Sequence, residues 1–233
     1  MLKMSRLLEI LEHKRTEVAR LSLAEERAKA ADAPPTRDFL AAVKRPAGAK
    51  GPVRTARPTG RVRLIAEIKK ASPSRGVLAP GLDVADIARI YVENGAAALS
   101  VLTDEKFFLG RLDYLRALRF EQRVAVPLLR KDFMLAPVQL YEARAAGADA
   151  ILLIVAALDD ATLCDLHALA RELGLTALVE THAADEVERA LRIPGLQLLG
   201  VNNRNLHTFE VRRQTALELR NQVPAEIAMV SES

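Results

Sequence analysis

The chain has 233 residues, of which 50% are hydrophobic and 27% are charged, and this suits one large soluble domain with a sizeable core. Its net charge of +4 does not indicate nucleic-acid binding, because the basic excess is confined to one short segment. The single Cys164 excludes an internal disulfide, and the absence of a secretory signal or a bilayer-spanning apolar run predicts a cytoplasmic protein.

Residues 1–63 are predicted to be an extension before the main domain. Residues 4–11 open a helical pattern, and residues 38–43 predict a second short helix. The apolar face of these elements is too small to form a core alone. On the first helix it comprises Leu7, Leu8, Leu11 and Val18.

A basic segment without acidic residues closes this extension and also contains several prolines and glycines. We interpret it as a solvated connector. The alternatives are an RNA-binding arm and a positive field that draws an anionic substrate towards a nearby site. Its basic residues are Lys44, Arg45, Lys50, Arg54, Arg57, Arg61 and Arg63.

From residue 64 onward, short apolar runs alternate with amphipathic segments. This order predicts a parallel sheet covered by helices, and Gly95, Gly147 and Gly174 lie where helices commonly stop. The predicted strands are 64–68, 97–102, 127–130, 150–155, 175–179, 198–201 and 227–230, and the predicted helices are 84–94, 112–122, 137–146, 161–173, 183–191 and 208–221.

Residues 64–233 are predicted to form a (β/α)8-type TIM barrel. A doubly wound sheet would give the same alternation, but no glycine-rich phosphate loop follows the first strand. Polar residues follow six apolar runs, and in a barrel such strand ends converge on the face that carries active sites. Each has an ordinary explanation as a cap or a turn, but their recurrence predicts a shared polar site. They are Lys69, Thr103, Lys131, Glu180, Asn202 and Ser231.

The first predicted strand carries an acid and a lysine two residues apart. Because side chains alternate along a strand, Glu67 and Lys69 share one face with Ile65. Removing such ions from water costs several kcal/mol each, so stability alone explains the pair poorly. The alternative is an edge strand with a solvated salt bridge. No Cys or His spacing in the chain suits a metal.

Six short segments together resemble a known family. They are AEIKKASPS at 66–74, SVLTD at 100–104 with Phe107 and Phe108, RKDF at 130–133, LVE at 178–180, GVNNRNL at 200–206 and VSES at 230–233. In this order they are similar to the motifs of indole-3-glycerol phosphate synthases of tryptophan biosynthesis. The resemblance spans essentially the whole chain.

The resemblance implies a carboxy-lyase that needs no cofactor. Its reaction converts 1-(2-carboxyphenylamino)-1-deoxyribulose 5-phosphate to indole-3-glycerol phosphate through ring closure, decarboxylation and dehydration. Lys131 matches the acid at the developing alkoxide, and Lys69 matches a second lysine that lies near the substrate carboxylate and is also implicated as an acid. Which lysine serves which step stays open at the level of the sequence. Glu180 matches the base of the dehydration, while Glu67 orients Lys131 or assists.

The resemblance also implies a set of substrate-binding residues. Ser72, with Ser74, contributes to the phosphate site, and other residues bind the polar groups or enclose the aromatic ring. The polar groups are assigned to Asn202, Arg204, Glu232 and Ser233, and the ring to Phe108, Phe133, Leu152, Ile154 and Leu206. We expect a small phosphorylated substrate, no nucleic acid, no membrane, and association with other tryptophan-pathway enzymes.

The sequence stops at Ser233, just after the seventh predicted strand. From this we expect a barrel truncated after strand 7, either as part of a longer enzyme or as a genuinely shortened product. Most of the phosphate site is then absent and two strand edges are exposed, so we expect an unstable or aggregation-prone chain that is nearly inactive. Two alternatives to an active synthase remain. One is a truncated, non-catalytic paralogue that acts as a binding or assembly partner. The other is a different phosphate-sugar barrel enzyme such as phosphoribosylanthranilate isomerase, which needs another acid/base pair.

Overall fold

The computed structural model of the chain describes residues 6–44, 62–73, 75–204, 211–212 and 214–232. Seven of its strands form one sheet in the order in which they occur along the chain, and a separate two-stranded hairpin consists of β2 and β3. The strands are β1 Ile65–Ile68, β2 Ala71–Ser72, β3 Gly76–Val77, β4 Ala98–Leu102, β5 Leu128–Lys131, β6 Ala150–Ile154, β7 Thr176–Thr181, β8 Leu198–Asn202 and β9 Ala228–Glu232.

All seven strands predicted from the apolar runs are present, with bounds within two residues of the prediction. The hairpin of β2 and β3 was not predicted. The helices are α1 Arg6–Val18, α2 Leu23–Ala31, α3 Phe39–Val43, α4 Val84–Glu93, α5 Glu105–Phe108, α6 Leu112–Arg116, α7 Pro137–Ala145, α8 Asp160–Glu172, α9 Ala184–Ala190 and α10 Thr215–Leu219. Within the described ranges, no helix is both long enough and apolar enough to cross a membrane.

The chain divides into two compact units. The first unit consists of residues 33–132 and 146–150, and the second of the residues up to 32, 133–145 and those from 151 onward. In the first unit β4 pairs in parallel with β1 and with β5. In the second unit β8 pairs in parallel with β7 and with β9. Each unit has an apolar core. The fully buried β4 contributes to the core of the first unit, and residues 151–154 of β6 contribute to that of the second.

Acidic caps fix where several helices begin. The carboxylates of Asp83, Asp104 and Asp159 accept hydrogen bonds from backbone N–H groups in the first turns of α4, α5 and α8. Such bonds satisfy N–H groups that have no partner inside the helix. The predicted glycine stops are confirmed, because Gly95, Gly147 and Gly174 have positive φ angles.

The extension contains one helix that the sequence analysis missed. The predicted helices are confirmed as α1 and α3, but α2 was not predicted, because its buried residues are Glu26 and Ala30 and give no apolar stripe. On α1 the predicted inward position of Leu8 is wrong: this side chain is exposed, and Ile10 is buried. The basic segment lies largely outside the described residues.

Two helices differ from their predicted form. The helix predicted at 112–122 begins as α6 and ends in a π-helical turn, Ala117–Glu121. The helix predicted from residue 208 begins only at Thr215 in the described residues. Val211 instead pairs with Arg204, and the Arg212 N–H donates to the Asn203 carbonyl, so residues 211–212 follow an extended path.

A fully buried carboxylate, Asp149, organises one end of the first unit. Its Oδ1 accepts from the backbone N–H of Arg37 at 2.6 Å, and its Oδ2 accepts from that of Leu128 at 2.8 Å. The guanidinium of Arg119 donates to Oδ1 at 3.2 Å from the π-helical turn. The segment before α3 is thereby joined to the start of β5.

Candidate active site

The first unit brings together three of the four predicted catalytic side chains. Lys69 Nζ forms an ion pair with Glu67 Oε1, and Lys131 Nζ lies 3.8 Å from Glu67 Oε2. Glu67 lies on β1 and Lys69 follows that strand, whereas Lys131 ends β5, which is separated from β1 by β4. The site therefore has one carboxylate within ion-pair distance of two ammonium groups.

This cluster is only partly removed from water. The side chains of Glu67 and Lys69 are each 30% exposed, and that of Lys131 is 19% exposed. β1 is also the first strand in the order of the described sheet. The position of β1 and the partial exposure of the pair therefore agree with the alternative of an edge strand that carries a solvated salt bridge. That alternative leaves the approach of Lys131 unexplained, because Lys131 comes from a strand that is not adjacent to β1.

A buried polar network borders Lys131 on the chain. The Asp132 carboxylate accepts from the Thr103 hydroxyl at 2.7 Å and from Arg130 Nη2 at 3.3 Å. Arg130 Nε also donates to the Thr103 hydroxyl at 3.1 Å. These bonds fix the residues on both sides of Lys131. Thr103, predicted as a polar strand end, is thus joined to the residues beside the lysine.

The second unit contains the fourth predicted catalytic residue, Glu180, on β7. It is buried, and His182 Nε2 lies 3.2 Å from its Oε1. His182 contacts a second carboxylate, Glu186 on α9, whose Oε2 is 3.0 Å from Nδ1 and accepts from the His182 backbone N–H at 2.8 Å. The sequence analysis did not single out His182. The signal was available, since His182 follows Glu180 by two residues, the spacing at which side chains of an extended chain share one face.

The surroundings of His182 favour its charged form. Burial alone would lower its pKa, but the carboxylates of Glu180 and Glu186 outweigh this effect and raise the pKa of His182 to about 9. The imidazole is therefore an imidazolium at neutral pH. Glu180 is thus a buried carboxylate with a cation beside it.

The ends of β8 and β9 place Asn202 and Glu232 in register as partners of a parallel ladder. Glu232 lies over Gly200: a methyl group there would overlap the Glu232 carboxylate and stand 3.3 Å from Leu178 Cδ1. Asn202 Oδ1 accepts from the Arg204 backbone N–H at 3.0 Å. This hydrogen bond agrees with the alternative explanation of Asn202 as a turn residue.

The remaining predicted substrate-binding residues are distributed over both units. Ser72, Phe108 and Phe133 are half-buried after β1, β4 and β5, while Leu152 and Ile154 are buried on β6. Leu206, Ser233 and the additional Ser74 lie outside the described residues. Within the described ranges, no group of three or more His, Cys, Asp or Glu residues could hold a metal ion.

Comparisons with known proteins agree with the motifs. The family model for indole-3-glycerol phosphate synthase matches residues 7–233. The chain belongs to the indole-3-glycerol phosphate synthase family. It is 50% identical to the synthase of Roseiflexus castenholzii over 96% of this chain and 82% of that protein. It is 48% identical to the synthase of Desulforamulus reducens over 96% of this chain and 80% of the relative.

Solved structures show the same fold at low sequence identity. The 3-hexulose-6-phosphate synthase of Salmonella typhimurium superposes with a TM-score of 0.56 at 15% identity, over 74% of this chain and 79% of that one. The 3-keto-L-gulonate-6-phosphate decarboxylase of Vibrio cholerae gives 0.53 at 15% identity, over 72% and 77%. The predicted TIM-barrel class is confirmed, and the indole-3-glycerol phosphate synthase family supports the predicted class of carboxy-lyase.

Proposed function

We propose that this chain converts 1-(2-carboxyphenylamino)-1-deoxyribulose 5-phosphate to indole-3-glycerol phosphate by acid–base catalysis. The observation that carries the proposal is the cluster of Glu67, Lys69 and Lys131, which has the charges that the first steps need. Family membership supports the overall reaction, and the cluster supports the roles of individual side chains.

Ring closure requires a proton donor at the substrate ketone. As the aromatic ring carbon attacks, negative charge develops on the ketone oxygen, and an ammonium group beside it stabilises that charge and gives up a proton. Lys131 has this role. The approach of its Nζ to Glu67 Oε2 at 3.8 Å supports Glu67 as the group that orients it.

Decarboxylation requires the carboxylate to be held until its bond to the ring breaks. Lys69 pairs with the substrate carboxylate before carbon dioxide leaves. This new ion pair replaces the one that Lys69 forms with Glu67. The electron pair of the broken bond returns to the ring and cancels the charge that the attack produced. No cofactor takes part in this step.

Dehydration requires a base for a ring proton and an acid for the departing hydroxyl. Glu180 is the base, and its role is supported by its charged neighbour His182, which favours the ionised carboxylate. A lysine donates the proton that leaves with the hydroxyl as water. The two groups must hold opposite protonation states, and an ammonium and a carboxylate do so at neutral pH.

The substrate is then bound by the residues that the family motifs predicted. We assign Ser72 to the phosphate, Asn202, Arg204, Glu232 and Ser233 to polar groups, and Phe108, Phe133, Leu152, Ile154 and Leu206 to the ring. We further propose a cytoplasmic enzyme in which residues 1–63 are an extension of the barrel, with other enzymes of tryptophan biosynthesis as partners.

The reaction is tested by following the indole product from the carboxyphenylamino substrate by fluorescence. Lys131→Ala is expected to lower kcat by about 10²–10⁴-fold, the usual contribution of a positioned acid. Lys44→Ala is the matched control, because Lys44 is an exposed lysine at the end of α3 and outside the cluster. Its kcat is expected to equal that of the wild type.

Two results would contradict the proposal at different levels. A folded wild-type protein that forms no indole-3-glycerol phosphate would refute the reaction. Turnover that survives Lys131→Ala with an unchanged kcat would refute the role of this lysine and leave the reaction standing.

A further inference from the structure

Glu186, His182 and Glu180 form a continuous series of ionisable groups in the second unit. Glu186 Oε2 accepts from two groups of His182, the backbone N–H at 2.8 Å and ring Nδ1 at 3.0 Å. These two contacts fix the orientation of the ring. Ring Nε2 then lies 3.2 Å from Glu180 Oε1, and the side chains of His182 and Glu180 are only 8% and 4% exposed.

The contact between His182 and Glu180 acts through charge. Nε2 is within ion-pair distance of Oε1 but is not aligned for a hydrogen bond. A cation at this distance favours the ionised form of a buried carboxylate, which burial by itself would disfavour. Without that cation, Glu180 would be more readily protonated and less able to act as a base.

Arg189, a cation on α9, is bound to groups other than His182. Arg189 on the same helix donates to Asp160 at 2.7 Å and to the carbonyls of Val155 and Leu158. Among the described residues, the carboxylates in ion-pair contact with His182 are Glu180 near the end of β7 and Glu186 on α9. The raised pKa of His182 agrees with this count of one cation between two carboxylates.

We propose that His182, fixed by Glu186, is a positioning residue that holds the Glu180 carboxylate in place and keeps it ionised at the start of each turnover. The inference rests on the proposed role of Glu180 as the base. Glu186 has a second effect: when Glu180 accepts a proton and becomes neutral, the imidazolium keeps one carboxylate partner. The buried cation is thus never left without a counter-charge.

A titration by NMR tests the coupling directly and needs no activity. The ring C–H resonances of His182 are followed against pH in the wild type and in Glu180→Gln. We expect the apparent pKa of His182 to fall by about one unit or more in the variant. His167, buried in α8, is the internal control, and its titration is expected to stay the same. An unmoved pKa of His182 overturns the proposal.

Kinetics test the consequence for catalysis. In His182→Gln, the acid limb of the kcat–pH profile is expected to move upward by about one to two pH units, because the base loses its cation. Glu186→Gln is expected to move the limb in the same direction but less, and His167→Gln to leave it in place. A uniform fall of kcat at every pH in His182→Gln would mean a purely structural role and would overturn the proposal.

The two experiments separate this inference from the proposed function. If the wild type makes no indole-3-glycerol phosphate, the reaction and the base role of Glu180 both fail, and with them the catalytic part of the inference. If the wild type is active and only the NMR coupling is absent, the reaction stands and the positioning role fails.

Discussion

Replacement of Asp149 by Asn tests how much the buried carboxylate contributes to the stability of the first unit. Asp149 is fully buried and accepts from the backbone N–H groups of Arg37 and Leu128 and from the guanidinium of Arg119. Both of its oxygens accept hydrogen bonds. An amide has only one oxygen, so its NH2 group must face one of these donors in either orientation.

The expected loss follows from two contributions. One buried N–H group is left without an acceptor, which costs about 1–3 kcal/mol. The buried guanidinium of Arg119 also loses its counter-charge, and breaking such a pair costs about 3–5 kcal/mol in total when one partner is removed. We therefore expect Asp149→Asn to lower the free energy of unfolding by about 3–5 kcal/mol, a large part of the usual 5–15 kcal/mol.

Urea denaturation followed by far-UV circular dichroism measures this loss. The matched control is Asp113→Asn, since Asp113 pairs with Arg116 at 3.0 Å on the exposed side of α6. Such a pair contributes about 1 kcal/mol or less, so the control is expected to unfold close to the wild type. A loss below about 1 kcal/mol in Asp149→Asn would refute the reasoning, because it would mean that neither the unpaired donor nor the isolated cation is costly.

Three further results are expected. Gly200→Ala places a methyl group against the Glu232 carboxylate. KM for the substrate should therefore rise, while the far-UV circular dichroism spectrum stays that of the wild type. An unchanged KM would exclude Glu232 from substrate binding. Since the folded pKa of His182 is raised to about 9, its stabilisation is complete below its ordinary pKa of 6.5 and is lost as pH rises through 9. The difference in unfolding free energy between wild type and His182→Gln should therefore shrink over that window, and a constant difference would contradict the ion pair. Glu67→Gln should lower kcat about 10–100-fold by releasing Lys131, with KM changed less, and equal kcat values would remove Glu67 from the mechanism.

The strands were predictable because their environment is uniform. Parallel strands that are covered on both faces become continuous apolar runs, and β4 and β6 are buried at every position. Turn chemistry added the ends of the helices, as at Gly147 with its positive φ. These features depend on neighbouring residues, which a single sequence displays directly.

Features that depend on distant residues were not predictable in the same way. The late start of α10 follows from hydrogen bonds of Asn203 to the backbone of residues 212 and 216, which no local pattern displays. The helix α2 was missed because one of its two buried residues is Glu26. For the site, the motifs indicated Glu67, Lys69 and Lys131, but the charge that His182 carries depends on two carboxylates that are brought to it by folding.

Asn203 has a consequence for how mutational data on this chain are interpreted. Its side chain donates to the Glu232 carbonyl at 2.8 Å and to the Ser231 hydroxyl at 3.0 Å, and accepts from the Ala216 N–H at 3.1 Å. A substitution at Asn203 would thus remove hydrogen bonds to both the backbone of Glu232 and the first turn of α10. Loss of turnover in a scan of the GVNNRNL segment would make Asn203 look like a contact of the substrate, although the cause would be a displaced neighbour.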